Sequence, residues 1–494
     1  MIKSLKFLPT SNSIKAKNRD WIAFAAAIAA FVAMLPISQR EAQALPSFAR
    51  QTGQACGTCH TDFPQLTPFG RRFKLGGYTL GGGRSSEEYR KVFGSDQWVP
   101  PLSVMGQITM ERTKTSQGSS DPADFLSSLS IPQGSIFFGG AITNELGAFV
   151  QGSIAAGNGA FLDNTDIRYV KNGTLFGKEA IFGITLNNNP TVQDVWNTTP
   201  AWGFPFISPS IAPSPIAGTA IEGAFAGKVI GAGVYTFIDD KFYIEASAYK
   251  GFSQRWQNAL VNVNNFDNTV MDRVSPYVRI AAEPHWGNHW LMVGAFWMNT
   301  SKNASYIDTG AGWLGGSDKF NDIGVDSQYQ YMGDNYVVTL RATYIHEKQT
   351  LGATFLNGIS DNPTNTLNSF KAQASYAWNT AAPGNKWVFT GGYFNTWGST
   401  DCLLYNGNTG CGAQPPSAIT MSNNGSPNSD GWIAEIAWFP YAMSKSPLWP
   451  YFNARVGLQY IWYNKFNGAT SNYDGYGRNA SDNNTALAYL WFSL

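Results

Sequence analysis

The chain has 494 residues, a formal net charge of +1 and only 14% charged residues, whereas about a quarter of the residues in a typical soluble protein are charged. Aromatic residues make up another 14%, and mean hydropathy is slightly negative at −0.20. This composition gives no basis for binding nucleic acid and rarely suits a helical membrane protein. It suits a barrel whose strands alternate between lipid-facing and lumen-facing residues.

Residues 1–44 are predicted to form an export signal that is removed. A basic stretch precedes the apolar run 21–35, and Ala42-Gln43-Ala44 has the small-x-small pattern of a cleavage site, which predicts a mature start at Leu45. The alternative is an uncleaved membrane anchor, but the run is short for a span of about 20 residues. Cleavage would remove six of the 34 basic and two of the 33 acidic residues, leaving a net charge of −3.

Residues 45–101 are predicted to form a monohaem cytochrome c segment that closes at Pro100-Pro101, because they contain Cys56-Gly57-Thr58-Cys59-His60. In an exported chain this motif predicts one covalently attached haem c, with thioethers at Cys56 and Cys59 and with His60 as the proximal iron ligand. A structural zinc site would need four ligands, and no second Cys/His pair lies nearby in the sequence. A thioredoxin-like redox pair would need a surrounding βαβ pattern, which the sequence lacks.

The identity of the sixth ligand of the iron is not decided by the motif, since residues 61–101 contain neither His nor Met. The nearest candidate is Met105, which the alternation of the first strand places on the lumen face among polar residues. A haem held in or under the lumen would explain a methionine there; the alternative is that Met105 only packs against the cytochrome segment. His285 and His289 flank a predicted periplasmic turn and are rival ligands. A methionine ligand would raise the reduction potential relative to two histidines.

Residues 102–494 are predicted to form a porin-like, transmembrane, antiparallel 16-stranded β-barrel, an all-β fold with the cytochrome segment plugging or abutting its lumen. The evidence is period-two alternation, as in Phe370, Ala372 and Ala374 on one face of a strand and polar residues on the other. The predicted strands are 102–112, 133–142, 147–155, 163–171, 179–187, 226–237, 241–250, 276–283, 289–299, 321–331, 336–347, 367–379, 387–397, 431–439, 450–463 and 485–494.

The connections between these strands alternate between short turns and long loops, as in outer-membrane barrels. The short turns include 143–146 and 332–335, and the loops 188–225 and 398–430 are predicted to lie outside the membrane on the other side. An even strand number places both chain ends on the periplasmic side of the outer membrane. Sixteen strands enclose a lumen wide enough for water or for a plug.

Charged residues on the predicted lumen faces are most simply explained as a solvated barrel interior, although some could hold a plug or guide a cation. They are Asp166, Arg168, Glu245, Arg279, Glu283, Arg341, Glu347, Lys371, Glu435 and Arg455.

Cys402 and Cys411 enclose eight residues of a polar loop. Because an exported chain meets an oxidising compartment, a disulfide between them is predicted, and two free thiols are the alternative.

Four stretches carry a resemblance to a known family: PSFARQTG at 46–53, FGRRFK at 69–74 with Gly77-Tyr78 after it, NNPTVQD at 188–194 and PAWGFP at 200–205. Together with the haem motif, these resemble the fused monohaem cytochrome–porins of iron-oxidising bacteria. The resemblance covers the cytochrome segment, one long loop and the barrel plan. The family's haem motif matches Cys56, Cys59 and His60, whereas Met105 has no support from the resemblance.

The resemblance implies an iron(II):cytochrome c oxidoreductase in the outer membrane. Fe(II) outside the cell would be the electron donor, and a soluble periplasmic cytochrome would accept single electrons. Two alternatives stay open at the level of sequence. One is a diffusion porin with a structural or sensory haem, and the other is a haem conduit for a donor or acceptor other than Fe(II).

Overall fold

The computed structural model describes residues 45–80, 101–117, 127–155, 159–261, 271–303, 316–380, 385–407, 410–412, 418–441 and 450–494. The predicted export signal at 1–44 and the predicted boundary at Pro100 lie outside these residues, so both stay predictions.

Sixteen long antiparallel strands form a single sheet across the described residues, and pairing of the first strand with the last closes it into a barrel. A two-residue strand at His285–Trp286 pairs with the long strand His289–Asn303, beside the end of the long strand Ser275–Ala282. The long strands are β1 Leu102–Thr113, β2 Ser127–Ala141, β3 Leu146–Ala155, β4 Gly159–Leu175, β5 Lys178–Asn187, β6 Val229–Ile238, β7 Phe242–Gly251, β8 Ser275–Ala282, β9 His289–Asn303, β10 Ser317–Met332, β11 Tyr336–Thr350, β12 Thr364–Trp378, β13 Lys386–Gly398, β14 Ser429–Phe439, β15 Asn453–Lys465 and β16 Thr485–Ser493.

The outer face of the barrel is apolar and exposed, and the inner face is polar and covered. Along β11, for example, Leu340 is 45% exposed whereas its neighbours Thr339 and Arg341 are buried. A closed barrel pairs every strand edge, so it can cross a bilayer without leaving backbone groups unsatisfied in hydrocarbon. These properties make the chain an outer-membrane-type β-barrel and confirm the predicted fold class at that level.

Each of the sixteen predicted strands is present, and the differences lie at the strand ends. β2 begins at Ser127 rather than at residue 133, and its first residues pair with β1 through Arg112 opposite Ser127. Apolar and polar residues alternate along a strand only where one of its faces meets lipid and the other meets the interior. A strand that continues beyond the lipid band therefore carries no such pattern.

The two ends of the barrel differ as predicted. Short turns join β2 to β3, β4 to β5, β6 to β7 and β10 to β11, whereas β5 and β6 are 41 residues apart at the other end. β1 starts and β16 finishes at the short-turn end, where the amide of Val104 donates to the carbonyl of Leu494 at 2.7 Å.

Residues 45–80 lie inside the barrel at its short-turn end. They contain α1 Pro46–Thr52, α2 Cys56–Cys59 and α3 Pro68–Leu75. Contacts reach distant parts of the wall: the amide of Ser47 donates to Ser103 Oγ on β1 at 2.9 Å, and Arg71 donates to Gln330 Oε1 on β10 at 3.0 Å. This segment therefore lies within the lumen and not outside the barrel at its short-turn end.

The connection 188–228 also enters the lumen, which corrects the prediction that residues 188–225 form an outer loop. Val192, Val195 and Trp196 are at most 1% exposed. Three backbone amides, those of Trp196, Thr198 and Thr199, donate to the carboxylate of Asp194 at 3.0–3.1 Å and hold a compact turn.

The remaining described helices lie in the connections at the long-loop end: α4 Gln254–Val261, α5 Gly352–Leu356 and α6 Cys402–Tyr405, with 3-10 turns at Pro200–Trp202, Ala418–Thr420 and Ala480–Asn483. Across the part of the chain that the structure describes, no helix is both long and apolar enough to cross a membrane.

Candidate functional site

The haem motif folds as a single helical turn, and α3 packs against this turn and holds it in place. The amide of His60 donates to the carbonyl of Cys56 at 2.8 Å and closes the turn. Thr67, the N-cap of α3, accepts from the amide of Gly70 at 3.1 Å and donates to the carbonyl of Thr58 at 2.5 Å. A capping threonine thus joins the two helices, which sets the direction in which Cys59 and His60 point.

Gly70 allows this close approach of the two helices. A Cβ atom built on Gly70 would lie 2.3 Å from the carbonyl oxygen of Cys59 and 3.0 Å from its carbonyl carbon. Both contacts are with backbone, which cannot rotate away as a side chain could.

We expect Gly70→Val to lower the yield of haem-loaded protein several-fold, because the valine would push α3 away from the motif. Gly134→Ala is the matched control, since a Cβ at Gly134 meets nothing within 4 Å. The ratio of haem absorbance to protein in purified samples measures the effect. Equal ratios for the two variants would show that the close approach is not required.

A cavity of about 350 Å³ opens beside the motif inside the barrel. Cys59 and His60 line it from the segment, and Met105 lines it from β1. Most of the remaining lining is apolar and aromatic, which suits the flat face of a porphyrin. The other aromatic residues are Phe48, Phe63, Phe73, Tyr78, Phe137, Phe149, Trp202, Phe206 and Trp491.

The residues present fit a haem c. His60 lines the cavity, and its buried Nδ1 has no hydrogen-bond partner among the described residues. Cys56 is 1% exposed and its Sγ lies 2.8 Å from Asn453 Nδ2, while Cys59 lines the cavity itself. When bound, haem c would supply a centre that takes up and releases one electron at a time.

Met105 lies where the alternation predicts, on the lumen face of β1, and it is 6% exposed. It lines the same cavity as His60, whereas the rivals His285 and His289 do not line it. Those two lie at the turn between β8 and β9, where His285 stacks on Trp290 with ring centroids 4.3 Å apart. The geometry therefore keeps Met105 as the candidate distal ligand.

We expect Met105→Ala to lower the haem reduction potential and to change the visible spectrum of the oxidised protein, because a thioether ligand favours the ferrous state. His289→Ala is the control, since His289 contacts Tyr329 and not the cavity. Redox titration and absorption spectroscopy provide the two readouts. An unchanged potential together with an unchanged spectrum would leave Met105 as a packing residue only.

Buried ion pairs attach the segment to the wall at Glu283, Glu435 and Arg455, so these three lumen charges hold a plug and are not solvated, as the alternative interpretation allowed. Arg71 pairs with Glu283, and both side chains are at most 4% exposed. Asp62 lies 3.3 Å from Arg455, which also pairs with Glu435. Burying a charge is costly unless it is paired and hydrogen-bonded, so these wall residues serve the packing of the segment.

Lys74 joins the segment to the connection 188–228. Its Nζ donates to the carbonyls of Val192 at 2.7 Å and Asp194 at 2.8 Å, and it lies 4.5 Å from the ring centroid of Trp202. Burial lowers the pKa of Lys74 to about 7.

The connection itself is held by wall charges. Arg279 on β8 lies 3.5 Å from Asp194 and 2.6 Å from Asp326, and Gln193 Nε2 donates to Glu245 at 2.6 Å. Sequence reasoning missed this arrangement, although Trp196, Trp202, Phe204 and Phe206 make the connection too aromatic for a solvated loop.

The predicted disulfide between Cys402 and Cys411 is present. It lies between β13 and β14 in a long connection, at the opposite end of the barrel from the segment 45–80.

No protein-family model matches the chain, and no curated protein matches it. Among solved structures, the chain is similar to in-vitro folded OmpT, an outer membrane protein of Vibrio cholerae, with 10% identity, a TM-score of 0.40, and 80% of this chain and 97% of that chain covered. An anion-selective porin from Comamonas acidovorans is 11% identical, with a TM-score of 0.40 and coverage of 79% and 98%. Pseudomonas putida OprB is 12% identical, with a TM-score of 0.41 and coverage of 79% and 92%.

Proposed function

We propose that this chain is an outer-membrane electron-transfer protein of the fused cytochrome–porin type. It holds one haem c at Cys56, Cys59 and His60, accepts single electrons from extracellular Fe(II) and passes them to a soluble periplasmic cytochrome. The observation that carries the proposal is the aromatic cavity inside the barrel, which Cys59 and His60 of the haem motif line together.

The chain's own residues would insulate the cofactor and position it. The barrel wall keeps lipid away from the cavity, and the segment 45–80 is attached by buried pairs such as Arg71 with Glu283. Residues 188–228 separate the cavity from the long-loop end. With both chain ends on the periplasmic side, the haem would lie near that side and within reach of a periplasmic partner. A cell could then take electrons from iron without importing it.

The filled lumen supports electron transfer over diffusion of solutes. The segment 45–80 and the connection 188–228 both occupy the interior, and their contacts with the wall include buried ion pairs. A diffusion porin would keep its lumen charges in water.

Rapid mixing of the purified, haem-loaded full chain with Fe(II) under anaerobic conditions tests the proposal. We expect the haem absorbance to change to that of the reduced form, with a rate that rises with Fe(II) concentration. Reduction by dithionite is the control that the haem is competent. A haem that dithionite reduces but Fe(II) does not would refute the iron oxidase assignment. Ion conductance through protein reconstituted in planar bilayers would favour the porin alternative.

A further inference from the structure

A second cavity, of about 600 Å³, lies in the lumen on the other side of residues 197–205 from the first. Its lining includes Thr396 and Tyr463, which are close to the ends of β13 and β15 that lead into long connections. The cavity therefore occupies the part of the lumen towards the long-loop end. No residue of the haem motif lines it.

Arg341 on β11 lines this cavity and is 6% exposed. Its Nε donates to Gln328 Oε1 at 2.9 Å, which fixes the guanidinium on the wall. Both terminal nitrogens, Nη1 and Nη2, are buried and have no hydrogen-bond partner among the described residues. The other lumen arginines at Arg168, Arg279 and Arg455 each have a carboxylate within 4 Å.

Gln373 on β12 stands directly opposite Arg341 in the strand register and lines the same cavity. Its Nε2 is also buried without a partner among the described residues. Directly opposed residues of antiparallel strands have Cβ atoms about 5 Å apart, so one ligand can contact both side chains. The nearby Lys371 is already paired with Glu222 at 2.6 Å and does not compete.

The acidic side chains that act on Arg341 electrostatically are Asp194 and Asp62. Neither accepts a hydrogen bond from its terminal N–H groups in the structure: Asp194 is engaged by Arg279 and by backbone amides, and Asp62 pairs with Arg455 through Oδ2, while Asp62 Oδ1 has no hydrogen-bond partner among the described residues. Leaving the buried N–H donors of a cation without hydrogen-bond acceptors costs free energy. The planar fork of arginine matches the oxygens of a carboxylate, sulfate or phosphate.

We propose that Arg341 and Gln373 form a binding site for a small free oxyanion in the outer part of the lumen. The guanidinium supplies the charge and two donors, and the Gln373 amide supplies a further donor. The site does not depend on the haem or on Fe(II) oxidation.

Calorimetric titration of the haem-loaded full chain in detergent with sulfate, and separately with inorganic phosphate, tests the site at constant ionic strength. We expect saturable binding of at least one anion. Arg341→Gln should weaken it at least tenfold, and Gln373→Leu by roughly 10- to 150-fold, the range for one hydrogen bond to a charged group. Lys348→Gln is the matched control, because Lys348 is an exposed cation on the same strand; its affinity should equal that of the unmodified chain.

Absence of saturable binding to the unmodified chain would overturn the proposal, as would equal affinity in Arg341→Gln and Lys348→Gln. If Arg341→Gln does not fold, Gln373→Leu decides in the same way. A haem propionate is the other source of the same oxyanion chemistry. In that case the haem-loaded chain would bind no added anion while a chain lacking the motif cysteines would bind it, and the free-anion proposal would be wrong.

Discussion

The double variant Cys56→Ser/Cys59→Ser is expected to lose all covalently bound haem while its barrel still assembles. Thioethers form only with the cysteine thiols, and serine keeps the size of the side chain without that chemistry. Both cysteines lie on α2, which contacts the wall through Asn453 Nδ2, a donor to Cys56 Sγ at 2.8 Å, and through the carbonyl of His60, which accepts from Lys386 at 3.2 Å. A serine Oγ can also accept the bond from Asn453. Haem staining after denaturing electrophoresis, together with the mass of the intact chain, measures the loss.

Cys402→Ser/Cys411→Ser is the matched control, because it also removes two cysteines but at the disulfide of the opposite end. It should retain full haem content. Strand content measured by circular dichroism should be the same in both double variants. Covalent haem that survives in Cys56→Ser/Cys59→Ser, or haem that is lost equally from both variants, would contradict the assignment of the motif.

The barrel was predictable because lipid imposes a pattern on the sequence. Wherever one face of a strand meets hydrocarbon and the other meets the interior, residues must alternate, as Leu340 and Arg341 do on β11. The same reasoning placed Met105 on the inner face. It could not give strand ends such as that of β2, since beyond the lipid band both faces tolerate polar residues.

The contents of the lumen were not predictable in the same way. The connection 188–228 has no periodicity, and its burial depends on distant wall residues such as Arg279 and Asp326. Charge on an inner face fits a water-filled lumen and a packed lumen equally well. Arg341 is an example: the sequence alone does not distinguish it from the lumen arginines that have carboxylate partners, whereas the structure does.

Arg71 and Arg72, adjacent on α3, are expected to respond very differently to replacement by alanine. Arg71 pairs with Glu283 and donates to Gln330 Oε1 at 3.0 Å, all within the buried lumen. Arg72 pairs with Asp240, but their side chains are 53% and 38% exposed. Breaking a buried pair by removing one partner costs about 3–5 kcal/mol, whereas an exposed pair contributes about 0–1 kcal/mol.

Hydrogen exchange of the backbone amides in residues 45–80 measures this difference as the free energy of local opening. Arg71→Ala should lower that free energy by about 3–5 kcal/mol because the carboxylate of Glu283 is left buried and unpaired. Arg72→Ala should lower it by at most about 1 kcal/mol.

A double-mutant cycle identifies the cause. The free energy lost in Arg71→Ala arises mainly from the Glu283 carboxylate, which is left buried without a partner. The double variant Arg71→Ala/Glu283→Ala should therefore lose less free energy than the sum of the two single variants. Additive effects would mean that the two side chains contribute independently. Equal effects of Arg71→Ala and Arg72→Ala would instead mean that the segment 45–80 is not held in the lumen by its buried charges, and the attachment would then rest on its apolar contacts and on the haem.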